Sequence, residues 1–499
     1  MQYISTRNKN IKIKSAQAIK KGLSDEGGLF VPEEIPSISL AEIEKLIPMS
    51  YTERAVYVLK KYLSDFLVRE LRECAEGAYA SGRFNGENPA PLVNLEKGVN
   101  ILELWHGPTC AFKDMALQIL PYFLTKAMKK TGEDKTVVIL VATSGDTGKA
   151  ALEGFRDVDG TKIVVFYPSE GVSDIQKLQM ITQEGKNVFV SGIEGNFDDA
   201  QTGVKKIFTD EKAKAEFAEN GCVMSSANSI NWGRLVPQIV YYVSAYCDMA
   251  ASGEIKVGED INVCVPTGNF GNILAAYYAK RMGVPIHKLI CASNANNVLT
   301  DFIRTGTYNK NRDFYTTVSP SMDILISSNL ERLLFDLCGG DDKKVSKWMK
   351  DLSEKGSYTL PAEMKKKVSR LLWAGCCDDY FTKECIYKTK QKYGYTVDTH
   401  TAVAVDVYNQ YKNETGDTTP TVIASTASPF KFNQSVLSAL GMDNETKGKN
   451  DFELLRLLSD VSGMEIPKSL KELENKEKRF NGVCGKDELL ETVSEFIKK

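Results

Sequence analysis

Unbroken apolar runs alternate with helical patterns through the middle of the chain. These runs lie at 137–142, 163–167, 188–191, 261–265, 289–292 and 421–424. Several lead through a polar loop into a helical pattern, such as KAALEGF after the first run. Strands without polar alternation, each followed by a helix, are typical of a parallel sheet covered on both faces. The pattern therefore predicts an α/β fold.

The alternation does not extend over the whole chain, which at 499 residues is long enough for several domains. Residues 1–95 mix short extended pieces with helical stretches, including one over 53–75, and 300–395 are helical and charged. We predict an N-terminal domain at 1–95, which is a candidate lid, and a helical insertion at 300–395. The two sheet domains are then a small one at 136–249 and a large one, which is made of 96–135, 250–299 and 396–499.

Composition and charge exclude several classes of protein. The net charge is −2 and basic residues are scattered, so a nucleic-acid partner is not expected. The 11 cysteines are spread out and only three histidines occur, so neither a disulfide framework nor a metal site is predicted. The N-terminus carries no secretory signal, and no apolar run approaches the roughly 20 residues that cross a bilayer. We expect a cytoplasmic protein with no membrane partner.

One lysine stands in an unusual setting. In HGPTCAFKDMALQ, at 106–118, Lys113 follows a Gly-Pro turn and precedes apolar residues with helical spacing. Burial and the positive end of a helix both disfavour an ammonium group, so such an amine suits covalent or proton-transfer chemistry. The alternative is a lysine that reaches solvent or pairs with Asp114.

Three loops that follow predicted strands are rich in Gly, Ser, Thr and Asn. PTGNFGN, at 266–272, suits a phosphate at a helix N-terminus, or is a tight packing turn. TSGDTGKAA, at 143–151, departs from the nucleotide loop GxxxxGK[ST] in its glycine spacing and at Ala150, which leaves anion binding or helix capping. ASTASPFKF, at 424–432, offers hydroxyls and no carboxylate.

These features together meet the needs of pyridoxal 5′-phosphate. Its aldehyde takes a lysine amine, its phosphate takes a glycine-rich loop, and its ring nitrogen takes a polar partner. A hydroxyl partner, which this chain favours, leaves that nitrogen largely unprotonated.

The same segments resemble the threonine synthases, which belong to the tryptophan-synthase-β-like (fold type II) pyridoxal-phosphate enzymes. The similar motifs are HGPTCAFKD, TSGDTGKAA, SSANSINWGRLVPQIVYY, PTGNFGN and STASPFKF, with weaker similarity in PSMDILISSNLERL and DTHTAVA. The resemblance implies two open parallel-sheet domains, an N-terminal domain and a helical insertion. In one departure, Ser428, Pro429 and Phe430 stand where family members often have His-Pro-Ala, whereas Lys431 is kept.

The resemblance also implies a role for each matching residue. Lys113 would link covalently to the cofactor and act as the catalytic base, and Thr426 would face the pyridine nitrogen. The cofactor phosphate would lie against Gly268, Asn269, Phe270, Gly271 and Asn272. The carboxylate and phosphate of the substrate would be held by Ser144, Gly145, Asp146, Thr147, Asn228, Ser229, Asn231 and Arg234. No metal is implied.

The implied reaction converts O-phospho-L-homoserine and water into L-threonine and phosphate by γ-elimination and β-addition, the last step of threonine biosynthesis. The alternatives are a phosphohomoserine phospho-lyase that gives 2-oxobutyrate, a serine or threonine dehydratase, and a non-catalytic pyridoxal-phosphate-binding relative. The expected partner is this small substrate, and the expected state is a monomer or a homodimer.

Overall fold

Two separate sheets of mainly parallel strands form the centre of the molecule and confirm the α/β fold class. The computed structural model describes residues 1–80, 82–143, 145–169 and 172–498. The strands are β1 (Tyr3–Ser5), β2 (Lys12–Ile13), β3 (Phe30–Pro32), β4 (Leu92–Glu96), β5 (Val99–Glu103), β6 (Thr136–Ala142), β7 (Thr161–Pro168), β8 (Val188–Glu194), β9 (Cys222–Ser225), β10 (Ile261–Pro266), β11 (Ile286–Ser293), β12 (Thr307–Asn309), β13 (Ser357–Thr359), β14 (Leu372–Cys376), β15 (Thr421–Ser425) and β16 (Val483–Gly485).

Helices surround these sheets, whose central strands are buried along nearly their whole length. They are α1 (Ser15–Lys21), α2 (Leu40–Leu46), α3 (Tyr51–Tyr62), α4 (Val68–Ala75), α5 (Asp114–Leu117), α6 (Leu120–Lys130), α7 (Asp146–Phe155), α8 (Asp174–Ile181), α9 (Phe197–Thr209), α10 (Glu211–Glu219), α11 (Trp232–Ala251), α12 (Gly271–Met282), α13 (Val298–Thr305), α14 (Leu330–Leu337), α15 (Asp342–Lys355), α16 (Ala362–Leu371), α17 (Asp379–Tyr393), α18 (Thr399–Thr415), α19 (Asn433–Ala439), α20 (Asp451–Ser462), α21 (Lys468–Lys471) and α22 (Leu489–Ile497). Within the described ranges, every helix is too short or too polar to cross a bilayer.

The larger sheet has six strands in the order β14-β11-β10-β15-β5-β4. Its pairs are parallel except for the β4–β5 pair at one edge. The runs predicted at 261–265, 289–292 and 421–424 are confirmed as its strands β10, β11 and β15. The segment 300–395 departs from a purely helical insertion, because β14 from this segment pairs with β11 and extends the sheet.

The smaller sheet has five parallel strands in the order β16-β8-β7-β6-β9. The other three predicted runs are confirmed as β6, β7 and β8. The segment 396–499, predicted as part of the large domain, departs from that prediction at its end, because β16 pairs with β8 of the smaller sheet. The segment 396–499 therefore contributes a strand to each sheet, β15 to the larger one and β16 to the smaller one.

The N-terminal segment packs on the rest of the molecule through buried aromatic rings. Its own sheet, in the order β2-β1-β3, is antiparallel, and the helix predicted over 53–75 is interrupted between α3 and α4. Tyr3 and Tyr62 lie 5.3 and 5.6 Å, centroid to centroid, from the ring of Trp232 in α11. Residues 1–95 thus share a core with the sheet domains, and their role as a lid remains a prediction.

Candidate active site

Lys113 lies just before α5, and its amine points into the protein. The side chain is only 12% exposed, and Nζ lies 3.4 Å from Asp146 Oδ2 and 3.4 Å from Ser321 Oγ. Burial lowers the pKa of Lys113; Asp146 opposes this effect, and the positive charges of Lys431 and Arg234 add to it. Both contacts are long for hydrogen bonds, so the amine is held loosely between a carboxylate and a hydroxyl.

Lys113 does not pair with the adjacent Asp114, the alternative that the sequence left open. Asp114 turns back onto its own loop, where its carboxylate accepts hydrogen bonds from Thr109 N and Thr109 Oγ1, each at 2.8 Å. Burial raises the pKa of Asp114 to about 6, against the effect of these two bonds. Asp114 therefore shapes the HGPT turn instead of neutralising the lysine.

Asp146, the first residue of α7, is the acidic centre of the site. Its Oδ1 lies 2.5 Å from Lys431 Nζ and accepts a hydrogen bond from Gln176 Nε2 at 2.9 Å. Burial acts to raise the pKa of Asp146, but Lys431 and Lys113 outweigh it and hold that pKa well below its ordinary value. The Asp146 carboxylate is thus committed to two lysines, and a substrate-binding role for this residue stays a prediction.

The rest of the SGDT loop is shaped by a local hydroxyl. Ser144 lies outside the described residues, and Thr147 is half-buried. Thr143 Oγ1 accepts hydrogen bonds from the N–H groups of Gly145, at 3.0 Å, and Gly148, at 2.9 Å. Gly145 has a φ of 136°, which a residue with a side chain rarely adopts. Thr143 therefore satisfies two N–H groups at the start of α7, and anion binding by this loop stays a prediction.

The glycine loop between β10 and α12 has the geometry of an anion cradle. No described residue accepts a hydrogen bond from the backbone N–H groups of Gly268 to Asn272. Phe270 has a left-handed φ of 64°, and a Cβ on Gly268 would lie 2.8 Å from Ser321 O. A row of unbonded N–H groups at a helix N-terminus attracts a phosphate.

Side chains around this loop hold it in place. Asn329 donates to the Asn269 carbonyl from both its backbone N, at 3.1 Å, and its Nδ2, at 3.0 Å. Asn272 Oδ1 accepts from the hydroxyls of Tyr241 and Tyr242, each at 2.6 Å, whereas the buried Asn272 Nδ2 has no partner among the described residues. That amide adds a free donor beside the backbone N–H groups.

The loop after β15 brings Thr426 next to the lysine segment. The Thr426 carbonyl accepts a hydrogen bond from Phe112 N at 2.8 Å, and no described residue bonds the Thr426 hydroxyl. By contrast, Ser425 Oγ is engaged by Trp105 Nε1 and Thr401 Oγ1, each at 3.0 Å. Of these hydroxyls, that of Thr426 is left to meet a ring nitrogen.

The departure from the family motif at 428–430 is a packing difference. Ser428 and Phe430 are fully buried, and Ser428 N donates to the Cys110 carbonyl at 3.0 Å. Ser428 Oγ also accepts a long bond from Phe430 N at 3.4 Å. These residues therefore support the loop that carries Cys110 and Lys113.

Arg234 is a buried cation with no acidic partner among the described residues. It is 3% exposed, Nη1 donates to the Ala227 carbonyl at 3.0 Å, and Nε has no partner within the described ranges. Burial lowers the pKa of Arg234 to about 10. A buried charge without an acidic partner is costly unless a ligand neutralises it, so Arg234 is a candidate for binding an anion.

The other residues predicted on this segment behave differently from one another. Ser229 Cβ lies 4.0 Å from the position of a Cβ on Gly271, so Ser229 borders the glycine loop, and Asn228 is half-buried nearby. Asn231 instead caps α11, with Oδ1 accepting from Gly233 N at 2.8 Å and Nδ2 donating to the Ile19 carbonyl at 2.9 Å. Its amide is engaged in the fold, and the substrate contact of Asn231 stays a prediction.

Several residues of the site were not predicted from the sequence. Ser321 and Lys431 both contact the Lys113–Asp146 pair, and His400 bonds the backbone of Ser321. Each lies in a motif that the sequence offered, namely PSMDIL, SPFKF and DTHTAVA. Within the described ranges, no three His, Cys, Asp or Glu side chains form a metal site.

Comparison with known proteins places these features in a family context. Residues 2–79 match the family model of the threonine synthase N terminus, 84–362 that of the pyridoxal-phosphate dependent enzymes, and 401–497 that of the threonine synthase C-terminal region. The human protein named threonine synthase-like 1 is 42% identical over 443 residues, which cover 86% of this chain and 59% of that protein. This chain therefore spans about three fifths of the length of that relative.

Bacterial and fungal relatives match over most of their length. The threonine synthase of Pseudomonas aeruginosa is 37% identical over 88% of this chain and 90% of its own. The crystal structure of pyridoxal-phosphate-bound threonine synthase from Brucella melitensis aligns with a TM-score of 0.88 and 35% identity, covering 100% of this chain and 99% of that one. The yeast threonine synthase structure aligns with a TM-score of 0.88 and 32% identity, covering 100% and 98%.

Proposed function

The chain belongs to the threonine synthase family of pyridoxal-phosphate-dependent enzymes, and from this premise we propose that it converts O-phospho-L-homoserine and water into L-threonine and phosphate. This reaction is a γ-elimination followed by a β-addition and would complete threonine biosynthesis. One observation supports the proposal: besides the N–H groups of Gly268 to Asn272, which no described residue bonds, the site has a second group suited to an anion, Arg234, which has no acidic partner among the described residues. A substrate with its own phosphate needs the second place, whereas serine or threonine does not.

The residues of the site fit the cofactor of the family at three points. The Lys113 amine would take its aldehyde, the N–H groups of Gly268 to Asn272 its phosphate, and the free hydroxyl of Thr426 its ring nitrogen. When bound, pyridoxal 5′-phosphate supplies an electron sink for negative charge at the substrate Cα. Asn272 Nδ2, which is buried without a partner among the described residues, is a further donor that such a group would satisfy.

Lys113 is the proposed catalytic base. Once the substrate amine has displaced it, Lys113 Nζ would accept the proton from Cα and then move a proton at Cβ as the γ-phosphate leaves. Burial and the charges of Lys431 and Arg234 favour the neutral amine that these steps need. A proton would then be returned to Cγ, which becomes the methyl group of threonine, before water adds at Cβ and a proton is returned to Cα. We propose that the departed phosphate, still bound, takes the proton of that water.

The substrate's own phosphate and carboxylate would be held by Arg234 and by the half-buried polar residues near it. Arg234 suits an oxyanion because its guanidinium presents two donors in one plane. Ser229, Asn228 and Thr147, which are half-buried, have hydroxyl and amide groups for the remaining contacts. The side chains of Asp146 and Asn231 contribute in another way in this arrangement, because the first contacts Lys113 and the second caps α11.

A visible absorbance scan with product analysis tests the proposal. The protein loaded with pyridoxal phosphate should absorb in the visible range, change its spectrum on addition of phosphohomoserine, and release threonine and phosphate in equal amounts. Lys113→Ala should lose both the band and turnover, whereas the control Lys468→Ala, at an exposed lysine, should keep both. Release of 2-oxobutyrate would favour the phospho-lyase, turnover of threonine or serine alone a dehydratase, and binding without turnover a non-catalytic relative.

The substitution Arg234→Lys tests whether Arg234 binds the substrate and the glycine loop binds the cofactor. It keeps the charge but loses the planar pair of donors, so the KM for phosphohomoserine should rise while cofactor binding is unchanged. Equal loss of cofactor binding would place Arg234 at the cofactor phosphate instead and would count against the two-site arrangement.

We also propose that the protein works in the cytoplasm as a monomer or homodimer. All 11 cysteines are free thiols in the structure and nine of them are buried, which suits a reducing compartment. Imaging of the tagged protein and sedimentation analysis of the purified protein test the two statements separately.

A further inference from the structure

A short turn, Pro320–Met322, covers the amine of Lys113. Ser321 Oγ lies 3.4 Å from Lys113 Nζ and 3.4 Å from Asp146 Oδ2. Ser321 O lies against Gly268, 2.8 Å from where a Cβ on that residue would be. One residue of this turn therefore contacts both the lysine and the glycine loop.

A buried histidine holds this turn from the other side. Ser321 N donates a hydrogen bond to His400 Nε2 at 3.2 Å. His400 lies in the first turn of α18, is 2% exposed, and packs against the ring of Phe432 at 4.8 Å between centroids. The bond joins residues that are far apart in the chain, so it fixes the turn relative to the larger sheet domain.

Asp398 determines which nitrogen of His400 carries the proton. His400 Nδ1 lies 2.8 Å from Asp398 Oδ2, and the fully buried carboxylate also accepts from His400 N at 2.9 Å and Thr401 N at 3.0 Å. A carboxylate accepts hydrogen bonds, so Nδ1 is the protonated nitrogen and Nε2 is left as an acceptor. That is the tautomer that the Ser321 N–H requires.

The flanks of the turn have anchors of their own. Asn294 Nδ2 donates to Ser319 Oγ at 3.0 Å and to Asp323 Oδ1 at 2.7 Å. Asp323 also accepts from Thr317 N at 3.0 Å. Loss of the histidine bond should therefore shift Ser321 without unfolding the segment.

We propose that Asp398 and His400 are positioning residues, which act through the Ser321 backbone to keep the Ser321 hydroxyl against the amine of Lys113. The Ser321 hydroxyl donates to Asp146, which leaves its lone pairs facing Lys113 and orients that amine. This inference rests on the proposed role of Lys113 as the cofactor-linked base. It also assigns a role to two residues of the DTHTAVA motif, which the proposed reaction does not otherwise involve.

Two substitutions at His400 separate the two hydrogen bonds. In His400→Asn the amide reaches only the place of Nδ1, so contact with Asp398 is kept and the acceptor for Ser321 is lost. In His400→Gln the amide reaches the place of Nε2 and supplies an acceptor again. His287→Asn, at an exposed histidine on β11, is the matched control.

We expect His400→Asn to lower kcat by about tenfold, the effect of one hydrogen bond, with little change in the KM for phosphohomoserine. The peptide that contains Ser321 should exchange its amide hydrogens faster in this variant, in protein without substrate. His400→Gln should recover most of both properties, and His287→Asn should change neither. A loss of kcat in His400→Asn with unchanged exchange at Ser321 would overturn the proposal, as would wild-type behaviour in both measurements.

The tautomer itself can be measured without any variant. The chain has only three histidines, so ¹⁵N labelling of histidine gives a spectrum simple enough to assign with the His287 variant and one at His106. We expect a protonated Nδ1 and an unprotonated Nε2 for His400, and a proton on Nε2 would refute the arrangement. If the wild-type protein fails to turn over phosphohomoserine while tautomer and exchange are as expected, the proposed function fails and the positioning of Ser321 stands.

Discussion

The buried pair Lys431–Asp146 is a point where one substitution should affect both stability and the chemistry of Lys113. Lys431 Nζ lies 2.5 Å from Asp146 Oδ1, and the two side chains are 0% and 3% exposed. Lys431 Nζ also donates to the Thr109 carbonyl at 2.9 Å. The substitution Lys431→Met keeps an unbranched side chain that is one atom shorter and removes its charge.

The size of the effect follows from what remains around Asp146. Removing one partner of a buried ion pair costs about 3–5 kcal/mol, because the other charge stays buried. Asp146 would keep Lys113 at 3.4 Å and Gln176 at 2.9 Å, so we expect a loss near the lower limit, about 3 kcal/mol. The pKa of Lys113 should rise as well, because the charge of Lys431 holds it down in the wild type.

Denaturant unfolding and a pH titration measure these two effects. A chain with two sheet domains need not unfold in one step, so unfolding should be followed by hydrogen exchange of peptides from α7 and the 424–432 loop. The pKa of Lys113 is measured from the pH dependence of its modification by an amine reagent in protein without cofactor. Lys468→Met, which removes an exposed charge, should leave both measurements unchanged.

The double variant Lys431→Met with Asp146→Asn makes the test sharper. Because the second substitution removes the uncompensated charge, it should restore part of the stability lost in the single variant. The reasoning is refuted if Lys431→Met unfolds at the wild-type midpoint, or if the double variant is no more stable than Lys431→Met.

Three further predictions concern other parts of the site. The pKa of Asp114 is raised to about 6, so this carboxyl group holds its proton more tightly in the folded than in the unfolded chain. Its contribution to stability is therefore present below about pH 4 and is lost as the pH rises through 6. Asp114→Asn should make the free energy of unfolding less dependent on pH over this interval. Gly268→Ala should weaken retention of pyridoxal phosphate and destabilise the protein by about 1–3 kcal/mol, because the added Cβ would meet Ser321 O. In Gly271→Ala the added Cβ would have no neighbour among the described residues nearer than 3.6 Å, so the same thermal unfolding measurement should show unchanged stability. Arg234→Met removes a buried charge that has no acidic partner among the described residues, so it should stabilise the ligand-free protein by about 1 kcal/mol and weaken phosphohomoserine binding. A destabilised variant would contradict this view of the Arg234 charge.

The parts of the fold that the sequence predicted are those with a strong local signal. The strands β6, β7, β10 and β15 are continuous apolar runs, and their burial on both faces is why they lack alternation. The strands β14 and β16 escaped prediction because they are short and contain Gly and Cys, so only pairing with β11 and β8 makes them strands. Tertiary context overrides local propensity at such positions.

Some residues of the site could likewise be predicted from the sequence, and others could not. Lys113 and the loop 266–272 follow from residue type and from position after a strand, and the structure brings them together through Ser321. That Asp146 pairs with Lys431 could not be predicted, because the two residues meet only when the two sheet domains pack together. The sequence could not show how Asn231 is used, because an Asn before a helix is equally suited to a ligand and to a cap, and in the structure its amide caps α11.

The pairing of β16 with β8 has a consequence for how the protein is made. Val483, Cys484 and Gly485 cover the edge of β8 at Gly192, Ile193 and Glu194, which leave the ribosome far earlier. At about 5–20 residues per second, the ribosome needs roughly 15 to 60 s to bridge that interval. During this time the edge of β8 has no strand beside it, and an unpaired strand edge is a place where other chains can pair. β16 therefore closes this edge only near the end of translation.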